Sequence, residues 1–250
     1  MKLTILGSGT GFPSSLRGGP GYLVQSDEEM VLMDLGMGTL SKLHGLEIPL
    51  DRLGPILISH LHPDHIAELV SLLFALKNIV ISRKVPLRLI GGPGLKELVR
   101  RLQEVHGRWI RPERFELEVL EVPEGEISLG ELTLRTVPVV HTEGSIGFRL
   151  AAPTGESLAY SGDSAFCPAL MDLVRNVDLA VMECSFPDEQ KKKGHLIPSE
   201  VGKIAAGGGA KRVVLSHLYP ECDAVDLAVQ CRSHYKGEVI VARDGMVLTV

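Results

Sequence analysis

Three things are scarce in this chain of 250 residues. Paired cysteine is the first: Cys167, Cys184, Cys222 and Cys231 show no Cys-x-x-Cys spacing, which excludes a zinc finger and leaves reduced thiols as the expectation. Long apolar runs are the second: no window approaches 18 uninterrupted apolar residues, so no membrane-spanning helix is expected. Positive charge is the third. Lys and Arg number 26 against 31 Asp and Glu, a formal net charge of −5, which argues against broad affinity for nucleic acid or an anionic membrane. Linkers, charge blocks, low-complexity tracts and internal repeats are also missing. Met1–Gly7 reads as a first strand, not an apolar leader with a cleavage site, so no signal peptide is expected and a cytoplasmic setting is the default.

What is present is an ordinary globular composition, 44% hydrophobic and 23% charged, enough to bury a full core. Short apolar runs alternate with helical patterns. Strands are predicted at 3–7, 22–26, 31–34, 55–59, 86–91, 115–122, 132–140, 146–151, 157–161, 179–183, 212–216, 238–242 and 247–250. Helices are predicted at 39–46, 66–77, 94–106, 168–174, 199–206 and 224–235. In the second, Ile66, Leu69, Val70 and Leu73 form one apolar stripe. So many strands exceed one ordinary sheet. The expectation is a single α/β domain over 1–250, two sheets face to face with helices outside.

The densest chemical information lies in His60-Leu61-His62-Pro63-Asp64-His65, just after the apolar run Pro55–Ser59. Imidazole nitrogen and carboxylate oxygen are ligands of borderline metals such as zinc. His60 and His62 are two apart and share a side of an extended segment, whereas Asp64 and His65 fall where the chain turns into a helix. One motif can therefore feed two adjacent metal positions. His141, Asp163 and His217 each follow a predicted strand, as His60 does. Seven donors suit two metals bridged by Asp163, about 3.5–4 Å apart with a hydroxide between them. His44, His106 and His234 fit no such pattern. Gly7-Ser8-Gly9-Thr10-Gly11 is not a nucleotide loop, since no Gly-Lys-Ser/Thr follows and Pro13 interrupts the helix start; a loop at the rim of the site is expected.

The chain resembles the metallo-β-lactamase superfamily, whose signature is His-x-His-x-Asp-His, and within it the ribonuclease Z-like branch. The resemblance runs nearly end to end, through Leu6–Pro13, Met33–Gly36, Ser59–Ile66, His141, Ser161–Asp163, Gly194-His195 and Leu215–His217. It implies an αββα sandwich of two mixed sheets and a dinuclear zinc site, with manganese or iron as alternatives. One metal would take His60, His62 and His141, the other Asp64, His65 and His217, with Asp163 shared. Asp34 matches an aspartate that holds a ligand histidine by its remaining ring N–H. His195 matches a histidine beside the scissile phosphate, able to stabilise phosphoryl charge or protonate the leaving oxygen. A homodimer is implied by the resemblance alone. Lys191–Lys193 are read as a solvated loop.

The substrate grips of the nuclease are missing. Its long form carries an RNA-gripping arm between the third metal histidine and the bridging aspartate, but His141 and Asp163 are only 22 positions apart. The rim motif Pro-x-Lys-x-Arg-Asn is here Pro13-Ser14-Ser15-Leu16-Arg17-Gly18, with Arg17 alone retained. Leu196-Ile197 stands for Ser-Thr, and Met37 for Glu. The function expected is hydrolysis of a small phosphodiester, with Asp64 and His195 assisting proton movement. Transfer RNA binding and a membrane partner are not expected. A lactone, ester or sulfate ester would suit the same site, although superfamily lactonases favour a tyrosine near the carbonyl oxygen and Tyr22, Tyr160, Tyr219 and Tyr235 are not decisively placed. A transfer RNA 3′ endonuclease and a zinc-stabilised binding module are the remaining alternatives.

Overall fold

The computed structural model describes residues 1–78, 83 and 85–250. Two seven-stranded sheets pack face to face. The first holds β1 (Lys2–Gly7), β2 (Gly21–Gln25), β3 (Met30–Met33), β4 (Ile56–Ile58), β5 (Leu87–Gly91) and β6 (Leu117–Glu121) side by side in chain order. The second holds β7 (Gly125–Leu129), β8 (Leu132–Pro138), β9 (Ile146–Ala151), β10 (Ser157–Tyr160), β11 (Leu179–Glu183), β12 (Arg212–Ser216) and β13 (Glu238–Val241) in the same manner. The last strand, β14 (Val247–Thr249), returns to the first sheet and pairs antiparallel with β1. Both sheets begin as antiparallel meanders and become parallel, from β3 onward in one and from β10 onward in the other. The expected αββα architecture of two mixed sheets is therefore observed.

Period-two alternation explains the layering. Val31 and Met33 of β3 face the inter-sheet core with Leu57, Phe148, Leu158 and Val214. Leu32, between them, faces outward into a second core with Leu43, Leu69 and Leu73. That core covers the first sheet with α1 (Thr39–Gly45), α3 (Leu69–Asn78) and α4 (Leu95–His106). A third core, including Met182, Val213, Leu215, Leu170, Val201 and Leu227, joins the second sheet to α5 (Pro168–Leu173), α6 (Pro198–Gly208) and α7 (Leu227–Arg232). All four cysteines are free and buried.

Two departures from the expected elements have physical causes. The helix predicted over 66–77 is split into α2 (Pro63–Ile66) and α3. Leu35 accounts for the break: its N–H donates to the His65 carbonyl at 2.8 Å and its carbonyl accepts from Glu68 at 3.0 Å. Both groups are thereby diverted from helical bonding. The helix predicted over 224–235 shortens to α7, because Pro220–Ala224 forms a 3₁₀ turn and Asp226 caps the helix by accepting from Val229 N–H at 3.0 Å. In addition, β7 was not predicted; its half-exposed residues earn a strand conformation through the β8 ladder. No helix among the described residues is long and apolar enough to cross a membrane.

Candidate metal centre

Parallel strands that end together concentrate their following loops at one edge. Here β3 is followed by Asp34, β4 by Ser59 and His60, β10 by Asp163 and β12 by His217, while β11 ends on Glu183. Pro63 at the first position of α2 starts the turn that carries Asp64 and His65 back over the β4 end. His141 follows β8. Two of the turns bend the backbone sharply: Asp34 and His217 have φ of 59° and 57°, a left-handed conformation that costs of order 1–3 kcal/mol outside glycine and tends to cluster at active sites. Gly162 makes the close approach between sheets possible, since a Cβ there would lie 2.8 Å from Ser59 Cβ.

All seven expected donors converge. His60, His62, His141 and Asp163 form one group and Asp64, His65 and His217 another, with donor atoms in each lying within 4.8 Å of one another. Asp163 faces both. Its Oδ2 is 3.9 Å from His60 Nε2 and 3.8 Å from His141 Nε2, whereas its Oδ1 is 3.4 Å from both His65 Nε2 and His217 Nε2. Asp64 Oδ2 is 3.4 Å from His217 Nε2, and His62 Nδ1 is 3.1 Å from His141 Nε2.

The hydrogen bonds behind these rings set which nitrogen faces inward. Asp34 Oδ2 accepts from His65 Nδ1 at 2.7 Å, and the Gly194 carbonyl accepts from His141 Nδ1 at 2.8 Å. Ser59 Oγ spends its proton on Asp34, so it accepts from His60 Nδ1 at 3.1 Å. Ser185 Oγ donates to Glu183 at 2.7 Å and thus accepts from His217 Nδ1 at 3.0 Å. Four imidazoles therefore turn Nε2 toward the centre. His60 Nε2 and Asp163 Oδ1 are buried there without a hydrogen-bond partner. Unsatisfied buried polar atoms are costly, and a divalent cation between convergent lone pairs and carboxylates satisfies both. The residues present fit a divalent metal site.

Electrostatics point the same way. Burial, then the neighbouring His65, lowers the His60 pKa to about 2, so its ring stays neutral. Burial and then His141 lower that of His62. Burial opposes ionisation of Asp163, yet His217 and His65 hold its pKa well below the usual range. Asp64 is likewise lowered by its hydrogen bond to His217 and by His65, against burial. At His65 burial disfavours charge, but Asp163 and Asp34 prevail and raise the pKa well above normal. That field attracts positive charge to the His65 side of the cluster.

His195 lies beside this centre, its ring centroid 5.0 Å from His141 and 6.1 Å from His217. Its Nδ1 faces Ser185 Oγ at 3.1 Å and Glu183 Oε1 at 3.2 Å. Burial lowers its affinity for a proton, but Glu183, then Asp163, outweigh this and raise its pKa. Sequence reading had missed Glu183 and Ser185. Glu183 is buried, and its only signal is a carboxylate closing an apolar strand at the same edge as the other donors. Arg17 is not free at the rim; it pairs with Asp223 at 2.7 Å. Among the tyrosines, Tyr160 donates to Asp34 at 2.6 Å, Tyr22 bonds Ser216 at 2.8 Å and Tyr235 donates to the Ala210 carbonyl at 2.7 Å. Tyr219 alone reaches the site, 6.1 Å from the His217 ring.

Residues 30–218 match a family model described as the beta-lactamase superfamily domain. The chain is 28% identical to a probable metallo-hydrolase, YhfI, of Bacillus subtilis, over 99% of each chain. The crystal structure of YhfI superimposes with a TM-score of 0.86, covering 99% of this chain and 98% of that one. A ribonuclease Z of Myxococcus xanthus is 28% identical, over 99% of this chain and 97% of its own length. Human tRNase Z, short form, shares the fold with a TM-score of 0.80 at 24% identity, over 100% and 99% of the two chains.

Proposed function

Because the chain belongs to the metallo-β-lactamase superfamily, in its ribonuclease Z-like branch, and is a metal-dependent hydrolase, we propose that it cleaves a small phosphodiester with two zinc ions. His60, His62 and His141 would hold one ion and Asp64, His65 and His217 the other, with Asp163 giving one oxygen to each. When bound, such a pair supplies an activated water at neutral pH and draws charge from phosphoryl oxygens. Manganese or iron would suit the same donors. Residues 1–250 act in this reading as one hydrolase unit.

The observation that carries the phosphodiester reading is His195 and its support. Glu183 and Ser185 fix Nδ1, and against the effect of burial Glu183, then Asp163, raise the ring's affinity for a proton. A cationic imidazole beside the cluster can bind a phosphoryl oxygen or give its proton to a departing alkoxide, after which Glu183 stabilises the proton's return. Asp64, kept ionised by His217 and His65, accepts a hydrogen bond from the attacking water and aims it; its Oδ2 also accepts from Gly11 N–H at 2.9 Å. A small substrate is favoured because Ile146–Ala151 and Ser157–Tyr160 are joined by a short turn, leaving no arm between His141 and Asp163. The −5 charge also disfavours a long polyanion.

The test is metal analysis with rates on an activated phosphodiester, a lactone and precursor transfer RNA. Two zinc ions per chain are expected, with phosphodiester turnover reduced about 100-fold or more in Asp64→Ala and His195→Ala. Equal rates for wild type and Asp64→Ala would refute the reading. One observation favours a second reading, hydrolysis of a lactone or ester. Tyr219 keeps its proton through burial and through Asp64 and Asp163, and could donate to a carbonyl oxygen. Faster turnover of the lactone, lost in Tyr219→Phe, would select it.

A further inference from the structure

Asp244, in the turn between β13 and β14, is no part of the His/Asp cluster, yet it accepts hydrogen bonds from three separate segments of the chain. Its Oδ1 accepts from Ser8 N–H at 2.9 Å and from Ser8 Oγ at 2.7 Å. Its Oδ2 accepts from Gly18 N–H at 2.7 Å and from the Lys42 ammonium. Ser8 and Gly18 are the two ends of the glycine-rich loop, and Gly9 N–H donates to the Gly18 carbonyl at 2.9 Å. The carboxylate therefore closes the neck of that loop. Asp244 is itself fixed from β1: Gly245 N–H donates to the Ile5 carbonyl at 2.7 Å, and Ile5 N–H to the Met246 carbonyl at 2.9 Å. Beyond the neck, packing gives the loop little support. Residues 11–16 are exposed, and a cavity of about 440 Å³ borders them, lined by Phe12, Leu16, Met37, Lys42 and Asp244 among others. Arg17 ties one flank, to Asp223.

We propose that Asp244 is a positioning residue for one metal position and not the other: through the glycine-rich loop it sets Asp64 and His217. The inference rests on the two-metal reading above. Two contacts carry the loop's position into the centre. Gly11 N–H donates to Asp64 Oδ2 at 2.9 Å. The Ser8 carbonyl accepts from Leu218 N–H at 2.9 Å, directly after His217, whose left-handed backbone persists only where its surroundings hold it. Asp64 and His217 belong to the same donor group, with His65. The rings of His60 and His141 are held instead by Ser59 and by the Gly194 carbonyl. A donor set works only as well as the contacts that fix it. An asparagine at 244 keeps one accepting oxygen and turns its amide donors toward either Ser8 or the Gly18 and Lys42 donors, so the neck loses one of its two sides.

The test is competitive zinc titration of chelator-stripped protein, with amide hydrogen exchange of the metal-free form, for wild type, Asp244→Asn and Asp178→Asn. Asp178 is the matched control: it too accepts from a serine N–H and Oγ and from a lysine, Ser157 and Lys211, but it ties β10 to the start of β11. Asp244→Asn should weaken one zinc position about tenfold, the low end for an outer partner, and Asp178→Asn should weaken neither. The loss should persist in a His141→Ala background, which keeps the position of Asp64, His65 and His217. Equal weakening of both positions, no weakening, or a loss that vanishes in His141→Ala would overturn the assignment. In the metal-free chain the Gly11 and Leu218 amides should exchange about tenfold faster in Asp244→Asn alone. Unchanged protection at both would also overturn it. Should wild type bind fewer than two zinc ions, the two-metal reading falls, and the amides still decide whether Asp244 holds the loop. If Asp244→Asn does not fold, Ser8→Ala, which removes the Oγ donor, carries the same test with a smaller loss at the same position.

Discussion

Asp34→Asn probes how the rings of the centre are held. Asp34 is fully buried and accepts four hydrogen bonds: from Ser59 N–H and Ser59 Oγ at 2.8 Å each, from His65 Nδ1 at 2.7 Å and from Tyr160 at 2.6 Å. An asparagine can place its carbonyl oxygen where Oδ2 was and keep three of them. Its amide then points two donors at Ser59 N–H. One unsatisfied buried donor costs about 1–3 kcal/mol, so at ~2 kcal/mol the melting temperature of a chain this size should fall by about 4–8 °C. The larger effect is expected on metal. Loss of the carboxylate weakens the basicity and orientation of His65, and such outer partners are typically worth 10–100-fold in metal affinity. The assay is competitive zinc titration of chelator-stripped protein, beside a stability-matched control. Leu43→Ala serves, because Leu43 lies on the buried face of α1 and its truncation costs about 2–5 kcal/mol without touching the centre. If Asp34→Asn and Leu43→Ala both left zinc affinity at the wild-type level, Asp34 would be a structural tie only and the argument from the ring tautomers would fail.

Three further outcomes follow from the same geometry. Asp163→Ala should lower the affinity of both metal positions at once, whereas His141→Ala should lower one; metal stoichiometry by mass spectrometry separates them. Gly194→Ala should reduce activity while the chain stays folded, since Gly194 has φ of 86° and its new Cβ would lie 3.3 Å from His141 Nδ1, the atom bonded to the Gly194 carbonyl. Circular dichroism and rate measurements on one preparation check both halves. Asp178 supplies a pH dependence away from the centre. Burial opposes its charge, but Lys211 and Ser157 outweigh it and lower its pKa in the folded chain. Its stabilisation is therefore full above the ordinary aspartate value and lost as pH falls through the depressed one. The melting-temperature gap between wild type and Asp178→Asn should close on acidification, and a gap constant from neutral pH downward would contradict the assignment.

The elements that pack by simple alternation were readable beforehand. Val31, Leu32 and Met33 announce a strand with two apolar faces, and two such sheets follow from the number of strands. The donors were readable because each closes a strand or opens a helix. The break between α2 and α3 was not, because it depends on Leu35, some thirty positions earlier, taking two backbone bonds. Sequence periodicity sees only neighbours along the chain. Glu183 escaped notice for a related reason: its importance comes from Ser164, Ser185 and His195 meeting it across loops. The place of Tyr219 beside His217, with its ring stacked on Phe186, became visible only in the fold.

The donors do not come from one sheet. His60, His62, Asp64 and His65 follow β4 of the first sheet, whereas His141, Asp163 and His217 follow β8, β10 and β12 of the second. Polar ties run alongside them: Tyr160 to Asp34, Tyr22 to Ser216, and Ile146 N–H to the Ser59 carbonyl at 2.9 Å. Chemistry and mechanical cohesion thus share one seam. Ions gripped from both leaves would act as rivets at the edge where the sandwich is open to substrate, so the cost of prying the leaves apart there would be set by the concentration of free metal. Metal supply in the surroundings would then tune the lifetime of the protein as well as its rate.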